Sequence, residues 1–251
     1  MIRAIGVFIL MVLILLLAVP VAVHADEWDI YPPEVPPPAL YVNGDPVEPD
    51  EYGNYELLNG EYCEISADSG LAGNITLYGE SLWSFSSDLD ISGHLTVLGG
   101  ALVTNDYSIS CNGFYAGHYR DATPISINLG SSKINCFSFA VRGSGVKLDA
   151  GTSLITTTLL FDDTDRTGRV YHDVTIKSDN KIYGFVEGNS KFNDLKFEND
   201  VSMYLKNSVE AVTLESAKGT ITTADSTIKL ISKESLEAAK IKIEPIGEVT
   251  K

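Results

Sequence analysis

Cations are scarce in this chain of 251 residues: 18 Lys and Arg stand against 34 Asp and Glu, for a formal net charge of −16. A surface that acidic lacks the cations needed to neutralise phosphates, and no basic cluster stands out locally, so nucleic acid is excluded as a partner. Cysteine is nearly absent as well. Cys63, Cys111 and Cys136 show no zinc-site spacing. In an exported chain an odd count leaves room for one disulfide, with Cys111–Cys136 the candidate pair and Cys63 left over. The alternative is three small buried hydrophobes. After the N-terminus no second long apolar run occurs, so nothing else reads as a membrane span. Helical periodicity is missing from about residue 75 to residue 231. Also missing are a Gly-x-Ser-x-Gly elbow, a phosphate loop and a dinucleotide fingerprint. His94, His118 and His172 are scattered, none with a partner four residues on. The sequence therefore names no reaction.

What is present begins with a leader. Met1-Ile2-Arg3 precedes an apolar run from Ala4 to Val23, followed by His24-Ala25-Asp26. A short positive start, an apolar stretch and small residues at Val23 and Ala25 predict a signal peptide over residues 1–25, cut before Asp26. The expected location is extracellular or on the cell surface. The apolar run is about twenty residues, so the alternative is an uncleaved anchor, the one route to membrane contact. Cleavage removes Arg3 and no acid, which takes the charge from −16 to −17. Seven of the ten prolines lie between Pro32 and Pro49, so residues 26–50 are expected to form a stiff, acidic linker. The alternative for that stretch is a ligand for an aromatic-lined groove. Asn43-Gly44 and Asn59-Gly60 each sit between β-prone residues and predict hairpins. Residues 51–74 are expected as an N-terminal β cap over the first edge of the strand-rich region beyond them.

From residue 75 to 231 short β-rich runs alternate apolar and polar, punctuated by Gly, Asn, Asp and Ser. "LGSSKI" (Leu129–Ile134) recurs twenty-one residues later as "AGTSLI" (Ala150–Ile155). "YHDVTI" from Tyr171 recurs at the same interval in "KFNDLKF", aligning Tyr171 with Phe192, Asp173 with Asp194, Val174 with Leu195 and Ile176 with Phe197. A fixed period of that size, with strands and no helices, predicts stacked coils that bury one continuous core. The expected fold is all-β: a single-domain β-solenoid, most simply a right-handed parallel β-helix with coils of about 21 residues. A β-sandwich is the alternative, since it too shows short strands at regular spacing. Residues 232–251 are expected to form a C-terminal cap or tail, with helix formers from Lys233 to Lys240 and edge-protecting lysines at 240, 242 and 251. Imperfect capping would permit end-to-end self-association.

The run "GHLTVLGGALVTNDYSISCNGF", then "INLGSSKI", "LDAGTSLI", "VYHDVTI" and "KFNDLKF", resembles the adhesin-like β-helix repeats of large exported bacterial and archaeal surface proteins. The likeness covers about Asp88 to Ile231. It departs from the pattern at Asp106, where glycine often follows the Asn. The resemblance implies a structural or adhesive role outside the cell and carries no catalytic residues to transfer. The expected partners are glycan, protein or cell-envelope components, met by the long, flat, polar flank of the solenoid.

Four sets of residues are candidates for chemistry. Asp173 and Asp194, one coil apart, are expected to lie at a corner about 5 Å from each other, the separation of a retaining glycosidase pair. That would make a polysaccharide-degrading β-helix enzyme, either hydrolase or lyase; the structural alternative is a pair of turn aspartates. "FDDTDRTG" gathers Asp162, Asp163 and Asp165 in an expected loop, where dense carboxylates suit calcium, the one cofactor the sequence brings up. An EF-type loop would also need an acid or amide at Thr167 and a Glu at Val174, and both are missing. "CNGFYAGHYRDATP" is likewise expected to be a loop leaving the coil, and its Phe114, Tyr115 and Tyr119 with Arg120 could stack on sugar rings or simply cover the core under a long loop. Asn74-Ile75-Thr76 is a lone glycosylation sequon.

Overall fold

A computed structural model describes residues 39–58, 61–118, 122–164, 168–177, 183–186, 190–206, 209–224, 228–230 and 241–245. The expected leader, the linker before residue 39, Asn59-Gly60, Tyr119, Arg120, Asp165 and the helix-forming stretch 233–240 lie outside them.

Twenty strands and no helix appear among the described residues: β1 Leu40–Val42, β2 Asp45–Val47, β3 Tyr55–Leu58, β4 Tyr62–Ala67, β5 Ile75–Tyr78, β6 Leu82–Phe85, β7 Leu89–Asp90, β8 His94–Val97, β9 Gly100–Val103, β10 Ile109–Ala116, β11 Ile125–Asn128, β12 Lys133–Arg142, β13 Val146–Asp149, β14 Leu154–Thr164, β15 Val170–Lys177, β16 Tyr183–Val186, β17 Lys191–Lys206, β18 Val209–Ala224, β19 Ile228–Leu230 and β20 Ile241–Pro245. One sheet runs β13-β11-β9-β6-β4-β1-β2. The other runs β19-β18-β17-β15-β14-β12-β10-β8-β5-β3, with β7, β16 and β20 joined to its flank. Every pairing among the described strands is parallel except β1 with β2 and β1 with β4. Parallel neighbours one coil apart exclude the β-sandwich and make a β-solenoid of about 6 turns.

The register gives the coil lengths directly. Tyr55 pairs with Ile75 and Ile75 with Leu95, twenty residues each. Leu95 pairs with Phe114 after nineteen, and Phe114 with Phe139 after twenty-five. Ile134 pairs with Ile155, and Tyr171 with Phe192, each after twenty-one. The expected alignment of Tyr171, Asp173, Val174 and Ile176 with Phe192, Asp194, Leu195 and Phe197 is the observed one. The long strands of the second sheet are creased. The first part of β10 pairs with β7 and the second with β8, while β14 divides between β15 and β16. Between β12 and β14 the register shifts after Cys136, and Phe137, an outward position of β12, is exposed. A coil therefore has three β segments, two on the creased sheet and one on the other.

Alternation sends one set of side chains inward. Ile75, Leu95, Phe114, Phe139 and Phe161 stack along one inward row, all essentially without solvent exposure. Phe114 lies flat on Phe139 with centroids 5.0 Å apart, and Phe139 on Phe161 at 5.5 Å. Tyr171 and Phe192 form a second stacked pair, 5.4 Å apart. Ring on ring at the coil spacing adds aromatic attraction to area burial, of the order of 0.5–1.5 kcal/mol per pair.

The repeated "LGSS" and "AGTS" turns form one corner. Ser132 N donates to Leu129 O at 2.9 Å, and Ser153 N to Ala150 O at 3.0 Å, closing the same tight turn twice. Gly151 has φ +54, and a Cβ there would lie 2.3 Å from Gly130 O, so the upper turn can rest on the lower only as glycine. Inside the corner the Ser132 hydroxyl donates to Thr104 Oγ1 at 2.7 Å, which donates to Leu129 O at 2.9 Å. Asp106 occupies the left-handed region at φ +67. Its carboxylate accepts from Ser131 N of the next coil at 2.6 Å, which gives this non-glycine residue a local compensation.

The N-terminal edge is closed as one of the two Asn-Gly signals predicts. Asn43 (φ 53) and Gly44 (φ 85) turn β1 into β2, and β1 covers β4 antiparallel. Asn59-Gly60 does not join a hairpin, because the strands flanking it belong to different sheets. Strand β3 pairs with β5 and β4 with β6, both parallel, so stacking begins at Tyr55. All three cysteines are buried, and in this structure they are thiols.

Candidate functional site

Among the described residues, one corner departs from its equivalents. Between the creased sheet and the other sheet, two residues link Val97 to Gly100, whereas eight link Ala116 to Ile125, the equivalent positions one coil later. This link, residues 117–124, is called the excursion; residues 119–121 of it lie outside the described residues. Glycines seat its base. Gly117 has φ +72, and a Cβ there would lie 2.1 Å from Arg142 O. A Cβ on Gly145 would lie 2.3 Å from Thr123 O. The backbone of the next coil thus lies directly against both ends of the excursion.

Two clefts lie against its described ends. One, of about 460 Å³, is lined by Glu80, Gly100, Ala101, Pro124, Ser126 and Lys147, among others. The second, of about 330 Å³, includes Tyr78, Leu98 and His118, and shares Thr123 and Ile125 with the first. Glu80 and Lys147 place opposite charges, both exposed, on the lining of the larger cleft. A concave surface with a mostly apolar floor and a few polar groups is the general form of a ligand site.

The four aromatic and cationic candidates separate. Phe114 is an inward residue of the stacked row, fully buried. Tyr115 points outward and is half-buried; its ring tilts against His94 at 5.3 Å, with the Arg142 guanidinium 5.8 Å from its centroid. Tyr119 and Arg120 belong to the excursion and lie outside the described residues. Strand β10 thus continues to Ala116, and the excursion starts later than "CNGFYAGHYRD" reads.

Asp162 and Asp163 are in β14, not in a solvated loop, and both are buried. Asp162 accepts from Arg142 Nε at 2.8 Å. Asp163 occupies the inward row above Val141, with Val186 as its Cα partner on the other side. Arg169 Nη1 and Ser190 Oγ both donate to its carboxylate. Arg169 also donates from Nη2 to Gly143 O at 2.7 Å and from Nη1 to Val141 O at 3.3 Å. Burial pushes the Asp163 carboxyl above its ordinary value, and the Arg169 charge and the Ser190 and Arg169 hydrogen bonds oppose that. Burial, with the neighbouring Asp163 charge, pushes the Tyr171 hydroxyl well up. Two guanidinium groups beside these carboxylates make a poor cradle for calcium. No group of three or more His, Cys, Asp or Glu that could hold a metal occurs among the described residues.

Asp173 and Asp194 are Cα partners in neighbouring coils, within β15 and β17. The alternation breaks there as expected: Tyr171 and Val174 are buried, with half-exposed His172 and Asp173 between them. Asp173 Oδ1 accepts from Asn193 Nδ2 at 3.0 Å and lies 3.0 Å from His172 Nδ1. The pair lines an open depression of about 220 Å³ with Thr175 and Lys196. The Asn74 side chain is occupied too, donating to Asn54 Oδ1 at 2.7 Å and accepting from His94 N at 2.8 Å.

Arg169 and Ser190 are the residues that pattern reading misses. One signal was available: two of the five arginines in the chain, Arg166 and Arg169, follow Asp162 within seven residues. Comparison with protein-family models, curated proteins and solved structures gives no match.

Proposed function

We propose that the chain is an exported, surface-held β-solenoid with a structural and adhesive role, which presents the excursion at 117–124 and its flanking clefts to a glycan or protein of the cell envelope. The observation that carries this reading is the coincidence of the eight-residue corner with the clefts of about 460 and 330 Å³. The solenoid supplies a stiff support, and loops raised on a rigid scaffold are where binding residues concentrate. Tyr119 and Arg120, in the excursion, are the groups assigned to contact. The acidic surface keeps such a scaffold soluble and repels anionic polymers, which favours a neutral glycan or a cationic protein segment.

The test is binding of the chain from residue 26 onward to isolated envelope material, beside a variant lacking residues 118–123. Retention of the full chain and loss in the deletion support the role; equal retention of both removes it from the excursion. Fractionation of the source cell with intact mass tests export, and a protein confined to the cytosol would rule it out.

A second reading, a polysaccharide-degrading enzyme, rests on Asp173 and Asp194 facing one open depression in register. The Asn193 hydrogen bond to Asp173 also has a purely structural sense, as a side-chain ladder between coils. Turnover of any glycan in a broad panel that is lost in Asp194→Asn, with the fold intact, would favour this reading over adhesion.

A further inference from the structure

Cys111 in β10 and Cys136 in β12 are direct Cα partners in the parallel ladder. Both are buried, at 8% and 6% exposure. Parallel strands lie about 4.8 Å apart, within the Cα separation of roughly 4.4–6.8 Å that a disulfide spans. The Cys136 thiol donates to Thr156 O at 3.9 Å, and the neighbouring Cys111 thiol, with burial, pushes its pKa well up. The register between β10 and β12 is the same on both sides of this pair, and the shift after Cys136 lies between β12 and β14. Cys63 has no part in this. It lies in the other sheet, fully buried, with Trp83 as its Cα partner.

We propose that Cys111 and Cys136 form a disulfide that staples one coil to the next across the excursion, leaving Cys63 a thiol. The bond closes a loop whose middle is residues 117–124, so it fixes the coil that carries the proposed contact site. The two thiols lose two protons and two electrons. A disulfide donor, either a low-molecular-weight disulfide or an exported oxidoreductase, accepts them and leaves as two thiols. Exchange needs a thiolate, and buried thiols with raised pKa supply little of it. Oxidation therefore takes place while the strands are pairing, and the folded reduced chain reacts slowly.

The physiological oxidant rests on the export proposed above, but the pairing itself does not. The chain from residue 26 onward is refolded with a glutathione–glutathione disulfide mixture, then denatured, alkylated and weighed. The expected product lacks two hydrogens, takes up one alkyl group, at Cys63, and unfolds at a midpoint several degrees above the reduced form. The mass loss disappears in Cys136→Ser and persists in Cys63→Ser. Three alkyl groups on a chain with native circular dichroism, or a bridge that includes Cys63, overturns the proposal. Either result leaves export to be judged by fractionation alone. Should Cys136→Ser fail to fold, Cys111→Ser serves as the second control, and a persistent mass loss in that variant equally overturns it.

Discussion

Along one inward row of the creased sheet, Leu57, Leu77, Val97, Ala116 and Val141 follow one another, apolar on apolar, and the next member is Asp163. The first stretch needs only complementary shapes. The second needs Arg169 from six residues on, Ser190 from a later coil, and backbone carbonyls at 141 and 143. The same groove in the same architecture is thus filled in two ways. A coil tolerates a charge in its interior only when neighbouring coils satisfy it completely. The apolar stretch can lose one member and keep the rest, whereas the charged stretch is a set that stands or fails together.

The largest effect is expected from Arg169→Met. It leaves a buried carboxylate without its charge partner, and the destabilisation should be about 3–5 kcal/mol by urea unfolding. The double variant Asp163→Val with Arg169→Leu continues the apolar row and should recover most of that loss, since buried ion pairs often give way to hydrophobes at little cost. Failure of the double variant to recover would show that the carbonyl contacts of Arg169, not its pairing with Asp163, hold this region. The same site has a pH signature. The Asp163 carboxyl is raised above 3.8, so between that value and the raised one the folded chain binds more protons here than the unfolded chain. Its contribution to stability therefore falls as pH rises through that interval, and levels off above it. Unfolding measured across the acid range should lose this slope in Asp163→Asn; an unchanged slope would place the titration elsewhere.

Gly93→Ala probes the regular stretch. A Cβ there would lie 2.0 Å from Gly73 O, which in turn sits in a stack above Gly53. Overpacking of this kind costs about 1–3 kcal/mol, and a neutral result would mean that the corner yields more easily than its geometry implies. Asn74→Ala removes the link between Asn54 and His94 and should cost about 1 kcal/mol, with the midpoint of thermal unfolding as the readout. The smallest effect is expected from Asp173→Asn, half-exposed and acting as an acceptor, within about 0.5 kcal/mol. A larger loss would show that the Asp173 ladder is a structural member on the scale of the Asp163 cluster.

These contrasts also mark where the sequence could be read. The "LGSS" and "AGTS" turns, and the alignment of Tyr171 with Phe192, were legible because each coil must turn the same corner and refill the same inward slots. Asn43-Gly44 was legible because its turn is local. Asn59-Gly60 looked identical, but the strands on either side of it belong to two sheets, and local chemistry cannot distinguish a hairpin from a coil corner. "CNGFYAG" and "FDDTDRTG" were read as loops because alternation fails in both. In the first it fails at the crease of a continuous strand, and Phe114 resumes the stacked row beyond it. In the second an acid occupies an inward slot, which no periodicity anticipates, since its partners lie 6 and 27 residues away.

The eight-residue corner has a consequence for how this protein can change. Shortening it by six residues would return a coil of nineteen, the length of the coil before it, with the ladders on either side still in register. Lengthening it would equally leave the ladders untouched, because loop closure grows costlier only slowly with length. The corner is a socket on a fixed chassis: its contents can be exchanged, by descent or by design, while the body of the molecule stays as it is.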